Sequence, residues 1–259
     1  MRVALVTGGA RGIGAATVRK LAEDGWAVLA CDIAADIPEL GYPMASEAEL
    51  HELVASSDGT VKAHVADVRD ADAMHAAVAE AEREWGRIDA AVACAGAIAG
   101  GVPLWEMPTG AERAVLEVNL VGSMNLARAA IPVLLRQPEP RSGRFLAVAS
   151  TAATHGLPML ASYCAAKAGV VGLVRALAAE LGCTGVTANA VSPGSTSTPI
   201  LEESARLYGL PDTEEFAQHQ SVNRLLEPAE IANVLAFMAG QDSSAMNGSV
   251  VSVDGGFSL

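Results

Sequence analysis

A chain of 259 residues, 51% of them hydrophobic, can bury a large core and suits a single α/β domain. Its formal charge of −13 argues against a nucleic-acid or anionic-membrane partner, since both call for basic patches. No run approaches about 18 uninterrupted apolar residues, so no membrane span is expected, and no signal-peptide pattern precedes the first strand.

Arg2 to Thr7 predicts the first strand and ends in Gly8-Gly9-Ala10-Arg11-Gly12-Ile13-Gly14, after which a helical pattern runs from about Gly12 to Glu23. Strand, glycine turn and helix in that order are the context of a phosphate-binding turn. Glycines let the backbone approach a pyrophosphate, and the helix N-terminus offers free N–H groups and the positive end of its dipole. Gly8, Arg11, Gly12, Ile13 and Gly14 are the candidate contacts. The second strand runs from Ala27 through Cys31 into Asp32. An acid at this strand end can accept from both hydroxyls of an adenosine ribose and would repel a 2′-phosphate, which favours NAD over NADP.

Asp36 to Ser57 is longer than a β-α-β crossover needs. Within it, Ser46-x-x-Glu49 is a capping box that should start a short helix near Glu47. The insertion is either a surface excursion or a flap over the nucleotide. Val61 to Val65 predicts the third strand, leading to Asp67 and Val68 beside the adenine, and a helix follows from about Ala71 to Trp85. Ala90 to Cys94 is the fourth strand; the small residues Ala95 and Gly96 after it would admit the nicotinamide-side ribose. Thr109-x-x-Glu112 should cap a helix running toward Arg136 and containing Asn119 in an apolar stretch. A buried asparagine needs partners, and this one is either structural or holds a water near Lys167.

Arg144 to Ala149 is the fifth strand, delivering Ser150 at its carboxyl end. Thirteen residues on comes Tyr163, and Lys167 lies one helical turn further, on the same face of a helix reaching about Leu181. A tyrosine titrates near ~10, too high for a base at neutral pH, and a neighbouring ammonium should lower it. Tyr163, Lys167 and a hydroxyl at Ser150 that grips a substrate oxygen form a unit for moving an alcohol proton. Exposed small residues on that helix (Ala161, Ala165, Ala166, Ala168, Gly169, Gly172) suit close packing on a partner. Thr187 to Val191 is the sixth strand. Ser195 to about Leu226 is expected to be a mobile substrate lid with short helices around Glu202 and Glu214. Its Ile200, Leu201, Leu207, Tyr208, Leu210 and Phe216 suggest a hydrophobic substrate. A helix from Pro228 to Met238 and a strand from Ser249 to Val253 complete an alternation of strand and helix. That alternation predicts one doubly wound Rossmann-type α/β domain with a parallel sheet of about seven strands.

Cys31, Cys94, Cys164 and Cys183 lack paired or metal-ligating spacing, which predicts reduced thiols and a cytoplasmic protein. The five histidines are scattered and suggest no metal, and His155 either lines the substrate pocket or sits in a solvated loop.

From end to end the chain resembles the short-chain dehydrogenase/reductases. Thr7 to Gly14 resembles the family's cofactor turn, Asp67-Val68 its adenine contact, and Asn119, Ser150, Tyr163 and Lys167 its catalytic tetrad. Pro193, Gly194, Thr196 and Thr198 resemble its nicotinamide clamp. The resemblance implies that Tyr163 is the acid/base, Ser150 holds the substrate oxygen, Lys167 also binds the nicotinamide ribose, and Asn119 positions a water. Cys94-Ala95-Gly96 departs from the usual Asn-Ala-Gly, which should weaken a hydrogen bond beside the central sheet. Cys31-Asp32-Ile33, Tyr42-Pro43-Met44-Ala45 and Ala99 to Trp105 are similar to the mycofactocin-coupled subgroup, which adds Ile33 to the cofactor contacts. That likeness implies a tightly held NAD reoxidised by a mycofactocin-type redox carrier, and the family implies a homotetramer. The expected reaction interconverts an alcohol and a ketone or aldehyde on a small molecule. The rivals are an ordinary dehydrogenase with freely exchanging NAD and a dinucleotide-binding sensor without catalysis.

Overall fold

The structure is a computed structural model that describes residues 1–57 and 60–259. Seven parallel strands form one sheet in the order β3-β2-β1-β4-β5-β6-β7. They are β1 (Val3–Thr7), β2 (Ala27–Asp32), β3 (Val61–Val65), β4 (Ala90–Ala93), β5 (Arg144–Val148), β6 (Thr187–Pro193) and β7 (Val250–Val253). The five inner strands are buried along their whole length, whereas β3 and β7 at the edges are partly exposed. Covered on both faces, the inner strands read as nearly unbroken apolar runs.

Two cores flank the sheet. On one face pack α3 (Ala71–Trp85), α5 (Gly122–Arg136) and α6 (Ala161–Glu180); on the other pack α1 (Gly12–Glu23), α2 (Glu47–Ala55) and α8 (Pro228–Ala239). Chain order reverses between β1 and β4, so a crevice opens there at the carboxyl ends of the strands.

Several elements differ from the sequence reading. Thr109 is the first residue of α4 (Thr109–Leu116), and the helix is entered from Pro108 with no side-chain cap. The predicted single helix contains a π turn at Glu117–Val121 that places Asn119 in the wall beside the crevice. The extra residue per turn in such a bulge redirects side chains and often marks a working site. Thr109–Arg136 and Ala161–Glu180 do have the length and hydropathy of membrane spans, with windows averaging 1.4 and 1.2. Their apolar faces belong to the core on the sheet. On α6, Ala161, Ala165, Ala168 and Gly172 are exposed as expected, but Ala166 is buried in the core and Gly169 packs half-buried against Leu120.

The insertion folds as predicted around α2. Glu49 N–H donates to Ser46 Oγ and Ser46 N–H donates to the Glu49 carboxylate, completing the capping box. The segment Ser195 to Leu226 contains α7 (Pro199–Tyr208) and a 3₁₀ turn at Glu214–His219. Its two ends meet: Ser197 N–H donates to Leu226 carbonyl at 2.8 Å, and Leu226 N–H to Ser195 carbonyl at 3.0 Å.

Candidate active site

The crevice is a cavity of about 790 Å³. Every candidate catalytic and cofactor-binding residue read from the sequence lines it except Asn119, which lies behind Gly96. At the turn after β1 only glycine fits. A methyl group on Gly8 would lie 2.7 Å from the Ala95 backbone, and one on Gly14 would lie 1.9 Å from Gly8 carbonyl oxygen. The first turn of α1 has no side-chain cap, which leaves its N–H groups for a ligand, with Gly12 and Ile13 on the cavity wall.

Asp32 ends β2 with both carboxylate oxygens on backbone donors, Ala10 N–H at 3.0 Å and Ala34 N–H at 3.2 Å. It therefore fixes the glycine turn while keeping an acceptor position on each oxygen. Ile33 beside it also lines the cavity. Asp67, beside Val68, accepts from Arg69 N–H at 2.9 Å and pairs with the Arg69 guanidinium at 2.7 Å. At the end of β4, Ala95 N–H donates to Thr7 Oγ1 at 3.3 Å. Cys94 packs against the apolar core on the α1 side, and burial pushes its thiol up to about 12.

Ser150 is extended, and its hydroxyl caps a 3₁₀ turn (Thr151–Ala153) by accepting from Ala152 N–H at 3.1 Å. From α6, Tyr163 (9% exposed) and Lys167 (4% exposed) face the same cavity, with Lys167 Nζ 5.7 Å from the centre of the Tyr163 ring. Lys167 Nζ donates to Val148 carbonyl at 2.9 Å.

The expected lowering of the phenol by the ammonium is not what dominates. Burial pushes Tyr163 up to about 12, against a hydrogen bond with Ser150 that pulls it down, and burial pushes Lys167 down to about 8. Each charged form is costly in a dry site, and burial is the largest influence on both groups.

Asn119 is 1% exposed; its Nδ2 donates to Ala97 carbonyl at 2.7 Å and Val115 carbonyl at 2.8 Å. Its Oδ1 has no partner among the described residues and lies toward Gly96, where a methyl group would be 3.2 Å from it and 3.8 Å from Lys167 Nζ.

β6 delivers Pro193 and Gly194. A side chain on Gly194 would collide with Gln220 Oε1 at 2.2 Å. Thr196 Oγ1 donates to Gly194 carbonyl at 3.0 Å, and Thr198 Oγ1 donates to Thr196 carbonyl at 3.1 Å. Thr198 also caps α7, and a methyl group on Gly12 would lie 3.4 Å from Thr198 Cγ2, so this loop lies close to the glycine turn.

The insertion reaches the site. Ile37, Met44 and Ala45 line the cavity, Arg11 Nη2 donates to Pro43 carbonyl at 2.9 Å, and Ile98 N–H donates to Tyr42 Oη at 3.0 Å. Of the apolar lid residues, Ile200, Leu201, Tyr208, Leu210 and Phe216 line the cavity, and Leu207 does not. His155 lies outside the lining and packs edge-on against Phe257. Phe257, His219, Leu157 and Leu160 line the cavity without having been singled out in the sequence. No short motif marks them, because they arrive from loops and from the last residues of the chain. Among the described residues no group of His, Cys, Asp and Glu has a metal-ligating arrangement.

A Rossmann-type sheet whose crevice holds a half-buried serine beside a buried tyrosine and lysine defines a dinucleotide-dependent oxidoreductase. Residues 8–258 match the family model described as Enoyl-(Acyl carrier protein) reductase. The chain is 31% identical to the (−)-trans-carveol dehydrogenase of Rhodococcus erythropolis, covering 100% of this chain and 98% of that protein. It is 35% identical to the cis-4-hydroxycyclohexanecarboxylate dehydrogenase of Sinomonas cyclohexanicum, covering 99% and 96%. The crystal structure of carveol dehydrogenase from Mycobacterium avium in complex with NAD superposes with a TM-score of 0.93 at 30% identity, covering 100% of this chain and 98% of that one. The chain belongs to the short-chain dehydrogenase/reductase family.

Proposed function

We propose that the protein is an NAD-dependent oxidoreductase that interconverts an alcohol and a carbonyl on a hydrophobic small molecule. The observation that carries this reading is the convergence of half-buried Ser150 with buried Tyr163 and Lys167 on the cavity wall. The cavity fits the cofactor: glycines stand where side chains would fill the cradle, and a carboxylate at Asp32 opposes a 2′-phosphate. Gly8, Arg11, Gly12, Ile13 and Gly14 would hold the pyrophosphate, Asp32 and Ile33 the adenosine ribose, and Asp67 and Val68 the adenine. Ala95, Gly96, Pro193, Gly194, Thr196 and Thr198 would enclose the nicotinamide half. When bound, NAD supplies the hydride acceptor and a positive charge that favours the phenolate of Tyr163.

The chain's own residues manage the substrate oxygen and its proton. Ser150 holds the oxygen, and Tyr163 accepts the hydroxyl proton in oxidation and returns it in reduction. Lys167, pinned on Val148 carbonyl, keeps its ammonium near the phenol. Asn119 presents its free Oδ1 beside that ammonium, an acceptor suited to a water on the proton's way out.

The Asp36 to Ser57 insertion and the Ser195 to Leu226 lid are parts of one domain on this reading, and both line the cavity. The insertion over the adenosine end, tied down at Pro43 and Tyr42, supports a tightly held NAD reoxidised in place by a mycofactocin-type carrier. A homotetramer in the cytoplasm completes the proposal, supported by exposed Val121 and Met124, the small residues on α6, and free cysteines.

The test has two parts. Denaturing the purified protein should release NAD, and a panel of alcohols should change the absorbance of the bound nicotinamide. Cofactor-free protein that turns over briskly with added NAD would overturn the captive cofactor. Silence toward every alcohol would overturn the enzyme and leave a sensor.

A further inference from the structure

Aromatic side chains make up only 4% of this chain, yet Tyr208, Phe216 and Phe257 line the cavity together with His219, and His155 packs on Phe257 just outside the lining. They form a continuous run of edge-to-face contacts. Tyr208 meets Phe216 at 6.2 Å, Phe216 meets His219 at 6.2 Å, His219 meets Phe257 at 6.3 Å, and Phe257 meets His155 at 5.4 Å. Both contacts of Phe257 are close to perpendicular, at 88° and 90°. Such pairs have the favoured aromatic geometry and hold each other in place.

The ring of Phe257 is not on a loose end. Asp254 accepts from Gly256 N–H at 3.0 Å and from Ser258 Oγ, Phe257 N–H donates to Asp254 carbonyl at 3.0 Å, and the tail is thereby folded into a turn. That turn is tied to the lid, because Val222 N–H donates to Gly255 carbonyl and Ser221 Oγ to Gly256 carbonyl, both at 3.0 Å. His155 is fixed on the other side through Nδ1 to Thr151 carbonyl at 3.2 Å, on the turn that Ser150 caps. Tyr208 Oη is turned away to donate to Pro158 carbonyl at 2.8 Å. The wall presented to a substrate is therefore braced, with the apolar rings of Tyr208, Phe216 and Phe257 set beside the His219 imidazole.

We propose that Phe257, carried by the C-terminal tail and clamped between His155 and His219, is a specificity-determining residue that selects an alcohol borne on an apolar ring over an open-chain alcohol. This rests on the alcohol–carbonyl reading above. A wall that cannot collapse leaves gaps around a thin chain, and each gap forfeits dispersion contacts. An open chain also loses rotor freedom on binding, whereas a ring has little to lose. A ring packed against the face or edge of Phe257 fills the space and adds an apolar contact.

The experiment compares cyclohexanol with 2-hexanol, which match in carbon number, by following reduction of the nicotinamide in NAD-loaded protein. Wild type, Phe257→Ala, Phe257→Leu and His155→Ala are measured, with the half-saturating alcohol concentration separated from the limiting rate. Wild type should favour cyclohexanol. In Phe257→Ala that preference should fall about tenfold, mainly through half-saturation, the size expected for losing one aromatic contact. Phe257→Leu keeps the tail apolar and should lose preference in the same direction, and His155→Ala, which touches no substrate, should lose part of it. A second readout uses the dead-end complexes: cyclohexanone should raise the melting temperature of the NAD-loaded wild type more than 2-hexanone does, and Phe257→Leu should erase that difference. An unchanged preference in both Phe257 variants, or no preference in wild type, overturns the inference alone. A wild type that no alcohol reduces overturns the parent reading and this inference with it.

Discussion

Replacing Asp32 with alanine tests the cofactor assignment most directly. The carboxylate already accepts Ala10 N–H and Ala34 N–H, one on each oxygen, and has one further acceptor position on each for a ribose hydroxyl. A hydrogen bond to a charged group contributes about 1.5–3 kcal/mol, so each lost ribose contact should weaken NADH binding about tenfold to a hundredfold. The same change strips Ala10 N–H, a buried donor, of its acceptor and should destabilise the fold by about 1–3 kcal/mol. Asp32→Asn separates the two effects, since its amide oxygen can keep the Ala10 contact while the negative charge is gone. The assay is equilibrium binding of NADH and NADPH to stripped protein, followed by nicotinamide fluorescence, alongside denaturant unfolding. In both variants the preference for NADH over NADPH should shrink, with the larger loss of stability in Asp32→Ala. A wild-type preference retained in both would show that the charge at this strand end does not choose the cofactor.

Tyr163→Phe should lower the rate of nicotinamide reduction by at least ~10²-fold in stopped-flow absorbance, the usual scale of a general acid/base. Near-normal turnover would remove the phenol from the proton path. Lys167 sits at about 8 in the folded protein against 10.5 for the free side chain. Between those values the unfolded chain binds a proton that the folded protein lacks, so stability should rise with pH through that window. The gain is on the order of 3 kcal/mol at most and should vanish in Lys167→Met, as read by urea unfolding at pH steps. A slope of equal size in both proteins would place the lysine in a wetter setting. Tyr42→Phe leaves Ile98 N–H without its acceptor, a loss of about 1 kcal/mol, and should speed NAD release on dilution with a trap. An unchanged release rate would free the insertion from any part in holding the cofactor.

The sheet was legible because buried parallel strands write themselves as short apolar runs, each closed by a helix-forming segment of the right length. The glycine turn was legible for a steric reason: Gly8 and Gly14 admit no side chain, and that requirement survives in the sequence as a pattern. Tyr163 and Lys167 are one helical turn apart, so their shared face followed from periodicity alone. The direction of their titration did not follow, because it depends on how dry the wall is, and burial is set by residues far away in the chain. The π turn around Asn119 was equally hidden, since the apolar repeat of the helix continues through it. Phe257 and His219 reach the cavity by tertiary folding of a tail and a 3₁₀ turn, neither of which has a periodicity to read.

The joined ends of the lid have a further consequence. Ser195 and Ser197 are bonded to Leu226, and Gln220 Nε2 braces the joint by donating to the carbonyls of Ser195 and Arg224. The stretch between them thus leaves and re-enters the scaffold through a single narrow neck. Such a segment can be exchanged for another of different length and shape without disturbing the strands that carry the chemistry. Divergence in what the pocket accepts can accumulate in that cassette while the proton-handling wall stays as it is.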